Sequence, residues 1–401
     1  MIDHSFEDIK ITSPLAACAI EAEGGREKIA QLLIDAGADL EARSRYPRKS
    51  ECWNATALFF ACEAGHESMV RLLLDAGSDI NTTMCQYADA DEQANITALY
   101  AACHNKHMAI VRLLLDAGAD IEAGADGESK HCTPLHRACD YLPGTDEGCE
   151  TIQLGMVQLL IEKGANVKAT SHAGHTPLHL ASSWNKAGRL SYTGVDMIRL
   201  LLQAGADLET PEDNGFRPLH TASFLGDKNA VRALLEAGAS TSATGTETLT
   251  ALHCACNCPH SANRQAVVSL LLEAGCDINA LTSFGYTPLH FACEENYSNC
   301  ARLLVSAGCS TTPQSDETAQ WCLSALETAE DNGHEELVQE LRPLIKAANK
   351  KRRKSAQKAR RQQQQAAAAA ATAVAAVADA SAEPEPELEL EMMRASQGDV
   401  Q

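Results

Sequence analysis

The sequence predicts an all-α solenoid of about nine stacked helix–turn–helix units with hairpin fingers, followed by a C-terminal tail. Two short phrases recur in the same order, with a period of roughly 33 to 43 residues. The first phrase occurs as Thr133-Pro134-Leu135-His136 and again as Thr176-Pro177-Leu178-His179. The second is a leucine run closed by glycine, such as Leu113 to Gly118. Self-similarity at this period indicates stacked modules rather than one closed core.

Each phrase marks one end of a helix. Thr133 is a typical N-cap residue, and Pro134 stands at the first helical position, where its missing N–H is not needed. Leu113 to Leu115 supply a buried apolar stripe, and Gly118 suits the left-handed turn that ends a helix. The chain then leaves as an extended finger before the next Thr. Because one such unit cannot bury its apolar faces alone, neighbouring units must stack.

The repeated unit resembles the ankyrin repeat. The Thr-Pro-Leu-His phrase, a following Ala, a Leu-Leu pair and a Gly-Ala-Asp turn recur in that order over about residues 10–347. The resemblance implies a curved stack whose concave side, made of fingers and first helices, binds proteins. The first and last units depart from the pattern, as expected of capping units with a polar outer face. The units are anchored at Leu15, Leu58, Leu99, Leu135, Leu178, Leu219, Leu252, Leu289 and Leu326.

Composition divides the chain into four segments. The tail is rich in the helix formers Ala, Lys, Arg and Gln, whereas Pro384 and Pro386 stop the helix before a Glu-rich end. That acidic end is expected to be disordered. The predicted segments are a lead-in over 1–12, the repeat array over 13–347, a basic and Ala/Gln-rich helical tail over 348–382, and the acidic end over 383–401.

Charge and cysteine placement limit the function classes. The formal net charge is -21 even though the run from Lys350 to Arg361 is strongly basic, so the array itself is more acidic still. A nucleic-acid-binding surface would need a basic stripe, and none is visible in the sequence of the array. Five of the 16 cysteines share the slot four residues after an anchor leucine, where the ankyrin repeat takes a small packed residue. They are Cys62, Cys103, Cys139, Cys256 and Cys293. This placement favours reduced thiols in a reducing compartment over a disulfide framework.

We expect a cytoplasmic and/or nuclear protein without membrane association. The first residues lack the charged start and apolar core of a secretory signal. The Ala-rich stretch that begins at Ala366 is too short to span a bilayer.

Aromatic and arginine side chains on the fingers and first helices are the candidate partner-binding residues, since these types commonly anchor interfaces. By analogy with the ankyrin repeat, the residue two after each anchor leucine faces the concave side, as for Thr221. The candidates are Tyr46, Trp53, Phe60, Arg137, His175, Phe216, Arg217, Phe284, Tyr286 and Phe291. Two alternatives stay open. The loop 43–54 would be a tolerated surface insertion, and the fingertip rings would pack finger against finger.

No constellation in the sequence predicts catalysis. The run from Cys254 to His260 suggests a metal site, but Cys254 and Cys256 diverge on a helix. Only Cys258 and His260 remain, and two ligands do not make a structural zinc site. The histidines of the repeated phrase recur in many units, which favours a structural role. Phosphate-binding and nucleophile motifs are missing from the sequence. We therefore expect no enzyme activity, no cofactor, no metal and no small-molecule substrate.

The basic block of the tail has three interpretations. A dense cluster fits a nuclear import signal, and it would also suit contact with nucleic acid or an acidic partner. The third interpretation is a solvated helix attracted to the acidic array or the acidic end. The cluster is Lys350, Lys351, Arg352, Arg353 and Lys354.

The functional expectation is a protein-binding adaptor or scaffold without catalysis. One alternative is a nuclear regulator, a transcription or chromatin cofactor imported through the basic tail. Another is a metal-binding protein centred on Cys254 to His260.

Overall fold

The computed structural model describes residues 13–20, 26–48, 51–85, 95–124, 132–140, 147–183, 192–259, 261–309 and 325–380. Within these residues the helices form nine consecutive pairs, numbered here as units one to nine, which confirms the all-α repeat prediction. The pairs are α1 (Pro14–Ile20) with α2 (Arg26–Asp35), α3 (Ala57–Ala64) with α4 (Glu67–Asp75), α5 (Ala98–His104) with α6 (Met108–Asp116), α7 (Pro134–Cys139) with α8 (Glu147–Glu162), α9 (Pro177–Ala181) with α10 (Tyr192–Gln203), α11 (Pro218–Phe224) with α12 (Lys228–Glu236), α13 (Ala251–Cys256) with α14 (Ser261–Glu273), α15 (Pro288–Glu294) with α16 (Ser298–Ala307), and α17 (Ala325–Asp331) with α18 (Glu335–Ala380).

The long connections after units one and two contain short strands. The strands β1 (Ser44–Arg48), β2 (Glu51–Ala55), β3 (Thr83–Cys85) and β4 (Asn95–Thr97) form one antiparallel sheet in that order. These two fingers are therefore lengthened by strands that pair with each other through backbone hydrogen bonds. Later fingers are shorter, and one of them contains a single 3₁₀ turn, Thr246–Thr248.

The chain divides into two compact bodies, which differ from the nine numbered units. They are Met1–Gln339 and Glu340–Gln401, and the boundary between them falls within α18. The four-segment division made from composition, with its boundary after residue 347, stays a prediction.

The core of the repeat array consists of anchor leucines, second-helix apolar residues and the cysteine slot. Leu58, Leu99 and Leu135 are buried, as are Met69 and Ile110 on the second helices. The five slot cysteines are also buried, and burial raises the pKa of each thiol. They therefore stay protonated and pack as small apolar side chains between helices.

The exposed face of α2 carries two apolar side chains beside the polar Glu27, Lys28 and Gln31. Ile29 is 52% exposed and Leu32 is 68% exposed. Met69 and Ile110 hold the positions equivalent to Ile29 in the next two units, and both are buried. The difference arises because no described unit stacks on the outer side of unit one.

A histidine ladder joins consecutive units. The backbone N–H of Thr133 donates to Nδ1 of His136 at 3.2 Å, so the ring proton resides on Nε2. That nitrogen donates to the carbonyl of His175, at the base of the next finger, at 3.0 Å. His179 bonds the Phe216 carbonyl, His220 the Ala243 carbonyl and His253 the Tyr286 carbonyl in the same way. These histidines thus hold each helix start to the next finger.

The ladder requires neutral imidazole rings. Burial lowers the pKa of His136, His179, His220 and His253 to about 4, because the charged ring would lose its hydration. Protonation would also place a hydrogen on Nδ1, opposite the N-cap backbone N–H that donates to it. The folded array therefore binds fewer protons than the unfolded chain in mildly acidic solution.

Two serines replace cysteine in the packed slot, with different outcomes. The hydroxyl of Ser182 donates to the carbonyl of Leu178 at 2.7 Å. Ser223 is fully buried, and its hydroxyl has no hydrogen-bond partner in the described part of the chain. A buried polar group without a partner lowers stability.

Replacing Ser223 with Ala should raise the free energy of unfolding by about 1 kcal/mol, because the unpaired hydroxyl is removed. Ser182→Ala removes a satisfied hydroxyl and should leave stability unchanged or lower. Urea unfolding of both variants followed by circular dichroism checks this. If Ser223→Ala loses as much stability as Ser182→Ala, the assignment of an unpaired hydroxyl is wrong.

The ladder should make the array less stable as the pH falls. The ordinary histidine pKa of 6.5 drops to about 4 on folding, so the unfolded chain binds more protons between these values. The stabilising contribution of the neutral histidines is therefore complete above pH 6.5 and decreases as the pH falls toward 4. His136→Gln should flatten this dependence by on the order of 1 kcal/mol per pH unit.

Urea midpoints at several pH values measure the effect, and His172→Gln is the matched control because His172 is exposed. Equal slopes for the two variants would contradict the role of the His136 ring.

Candidate functional site

A groove of about 420 Å³ crosses the first helices of units five to eight. We name it the first-helix groove. Its volume falls within the usual range of ligand pockets, roughly 300–1,000 Å³. Its lining comes from α9, α11, α13 and α15, from the residues that follow the first three of these helices, and from the fingers that precede α9, α11 and α13. Because the units repeat, the lining residues form rows with one member from each unit.

The floor of the groove is the row two residues after each anchor leucine. This row consists of Leu180, Thr221, Cys254 and Phe291. The register given by the ankyrin analogy placed Thr221 and Phe291 on this face, and the structure locates both in the lining. Leu180 and Cys254 share this offset but were not among the candidates, because aromatic and arginine side chains were preferred as binding anchors.

A second row, five residues after the anchor, forms one wall. It contributes Ser183, Phe224 and Asn257. Phe224 is 42% exposed, which is high for a phenylalanine that lines a groove. This row was not among the predicted site residues, although its constant spacing from the anchor is a signal that could have identified it.

Another wall comes from the finger bases, three residues before each anchor. His175, Phe216 and Leu249 occupy these positions. The ring of Phe216 lies 5.6 Å from that of His220 and covers Gly245, where an added Cβ would lie 2.2 Å from the Phe216 ring. Phe216 is thus held by the next finger, as the finger-packing alternative expects, and still lines the groove.

The groove has an acidic component. Among its described lining residues Glu212 is the one carboxylate, and none is Lys or Arg. The Glu212 carboxylate lies 2.5 Å from Nε2 of His175. Arg217 is close by in sequence, but its Nε pairs with Glu209 at 3.1 Å and its guanidinium donates to the Thr244 carbonyl. Arg217 therefore fixes two fingers together.

The most exposed candidate ring lies beyond the groove. Phe284 is 60% exposed at the next finger, and Tyr286 is 37% exposed. The Tyr286 ring stands nearly perpendicular to Phe291, with centroids 6.4 Å apart. Exposed aromatic surface therefore continues from the groove floor onto the finger of unit eight.

Phe60 is not a surface residue. It is 1% exposed and packs edge-on against Phe59 at 6.2 Å, so the expectation that it faces a partner is wrong. Arg137 is half-buried, since it pairs with Asp140 at 2.8 Å and donates to His104 at 2.6 Å. Tyr46 and Trp53 are backbone partners in the β1–β2 hairpin, and their side chains lie outside the described residues.

The cysteine-rich segment is packed into the array. Cys254, Cys256 and Cys258 are buried, and Arg264 donates to the carbonyl of Cys258 at 2.7 Å. No three potential metal ligands cluster within the described ranges. His260, the remaining ligand candidate, lies outside those ranges.

The described basic side chains of the tail lie on α18. Those of Lys350, Lys354, Lys358, Arg360 and Arg361 are exposed. The side chains of Lys351, Arg352 and Arg353 lie outside the described residues. Within the described part of the chain, no helix is long and apolar enough to cross a membrane.

Comparison with known families agrees with the helix pairs and fingers. A family model described as "Ankyrin repeats (3 copies)" matches residues 2–84, 83–154, 150–245, 189–282, 240–315 and 260–354. No curated protein matches the chain. Since the matches cover most of the sequence, the chain belongs to the ankyrin-repeat family.

Proposed function

We propose that this chain is a non-catalytic adaptor or scaffold that binds a partner protein on the face formed by its fingers and first helices. Ankyrin repeats are generally protein–protein interaction modules and are typically non-catalytic. The first-helix groove is the observation that carries the proposal for this chain. It offers an apolar floor beside exposed aromatic rings, which is the usual composition of an interface centre.

The binding face is preorganised. The ladder histidines and the Arg217 contacts hold the finger bases that form one wall of the groove. A surface fixed before binding loses little conformational entropy when a partner arrives. This rigidity supports binding by display of fixed side chains.

Four of the titratable groups in the groove lining support a role without catalysis. Burial lowers the pKa of His179, His220 and His253 to about 4 and raises that of Cys254 to about 12. Each of these imidazole rings also donates its proton to a backbone carbonyl. The three imidazole rings are therefore poor proton carriers at neutral pH, and the Cys254 thiol is a poor nucleophile.

Proximity labelling in the native cell tests the binding face. In the full chain carrying Thr221→Arg and Phe284→Glu, the labelling of at least one neighbouring protein should fall by on the order of tenfold. The reason is that charge is placed on the groove floor and the adjacent finger. The control carries Leu32→Glu and Glu236→Lys, which change exposed residues on second helices. If both variants label the same neighbours as the original chain, the proposed face is wrong.

A nuclear regulator is the second candidate function. The exposed cations on α18 favour it, since an import receptor would need access to them. In this version the basic tail carries the protein into the nucleus, and the array binds a transcription or chromatin factor there. Otherwise the adaptor would act in the cytoplasm.

Replacing Lys351, Arg352 and Arg353 with Ala should move a fluorescently tagged chain out of the nucleus, because the dense basic cluster is lost. The control replaces three exposed cations of the array, Arg112, Lys168 and Arg232, with Ala. Unchanged nuclear signal in the tail variant, or equal loss in both variants, would eliminate this candidate.

A further inference from the structure

We infer that the first-helix groove receives a partner segment in which a large apolar side chain is flanked by Lys or Arg. This inference rests on the proposed function and specifies the chemistry of the partner. It combines the apolar lining with the charges around it.

The apolar half of the recognition comes from the groove itself. Leu180, Phe216, Leu249 and Phe291 supply aliphatic and aromatic surface, and Phe224 leaves 42% of its surface open to solvent. Apolar surface of this kind is stabilised when an apolar side chain displaces its water. Its lining residues come from four consecutive units, so the groove extends along the repeat axis, which suits a segment of chain better than an isolated small molecule.

The charged half comes from carboxylates on the bordering fingers. Glu212 lies in the lining, Asp213 follows it at the fingertip, and Glu247 lies two residues before Leu249. Asp213 and Glu247 are exposed, and neither carboxylate forms an ion pair with a described residue. Since the described lining residues include no Lys or Arg, a basic partner would meet no opposing cation there.

The finger that carries Glu247 is fixed on both sides. The backbone carbonyl of Glu247 accepts from the N–H of Ser283 at 2.9 Å, and the N–H of Thr246 donates to the backbone carbonyl of Asn214 at 2.7 Å. Glu247 and Thr248 both have positive φ, 56° and 59°, which is a strained conformation for these residues. The neighbouring fingers thus fix the backbone that carries the Glu247 side chain.

Selection of random 12-residue peptides on the full chain tests the inference. We expect the retained peptides to be enriched in Phe, Leu, Met or Trp with Lys or Arg within three positions. The affinity of a retained peptide should fall several-fold between 50 and 500 mM NaCl, because salt screens exposed charges. Retained peptides without basic enrichment, or with acidic enrichment, would overturn the inference.

Matched variants locate the site. Phe224→Glu should weaken a retained peptide by on the order of tenfold, whereas Leu32→Glu, an equivalent change on α2, should not. Asp213→Lys with Glu247→Lys should weaken it similarly, whereas Glu236→Lys on α12 should not. Circular dichroism melting of each variant verifies that it is folded. Equal binding by Phe224→Glu and the original chain would place the peptide elsewhere and overturn the inference.

The two proposals fail on different results. The adaptor function fails when no cellular neighbour depends on the finger and first-helix face. The partner chemistry fails on the composition and location of the selected peptides, whatever the labelling experiment finds.

Discussion

The hydrogen bond from a neutral, buried imidazole to the backbone of the next finger joins units four to eight, the part of the array that contains the first-helix groove. Its Nδ1 atom accepts from the backbone N–H at the start of its helix, and its Nε2 atom reaches forward to the following unit. One side chain therefore satisfies two backbone groups and links one unit to the next. Stacking buries the apolar faces that a single unit would expose.

That constraint also shapes the surface. Because units five to eight are held in the same register, residues at one offset from the anchor leucine align into a row there. A row of small or apolar residues becomes a groove, and a row of finger bases becomes its wall. The first-helix groove thus arises from periodicity combined with the particular side chains of units five to eight. The same ladder that stabilises the fold makes the groove rigid.

The roles of individual residues follow from their neighbours. Phe60 has the same offset as Phe291, but Phe60 is buried against Phe59 whereas Phe291 lies in the groove lining. Arg217 has the chemistry of a binding anchor, yet its contacts with Glu209 and Thr244 hold the fingers together. Neither outcome is visible in the repeat pattern, since each depends on contacts with other units or with a neighbouring side chain.

The sequence by itself determined the helix pairs, their caps, the anchor leucines and the packed cysteine slot, because these features repeat with local spacing. It also indicated the face that carries Thr221 and Phe291. Only the tertiary structure decided where that face opens into a groove, which aromatic rings stay exposed, and that Ser223 is buried without a partner. The physical reason is that burial and groove shape depend on side chains from several units at once, whereas the repeat phrase specifies one unit at a time.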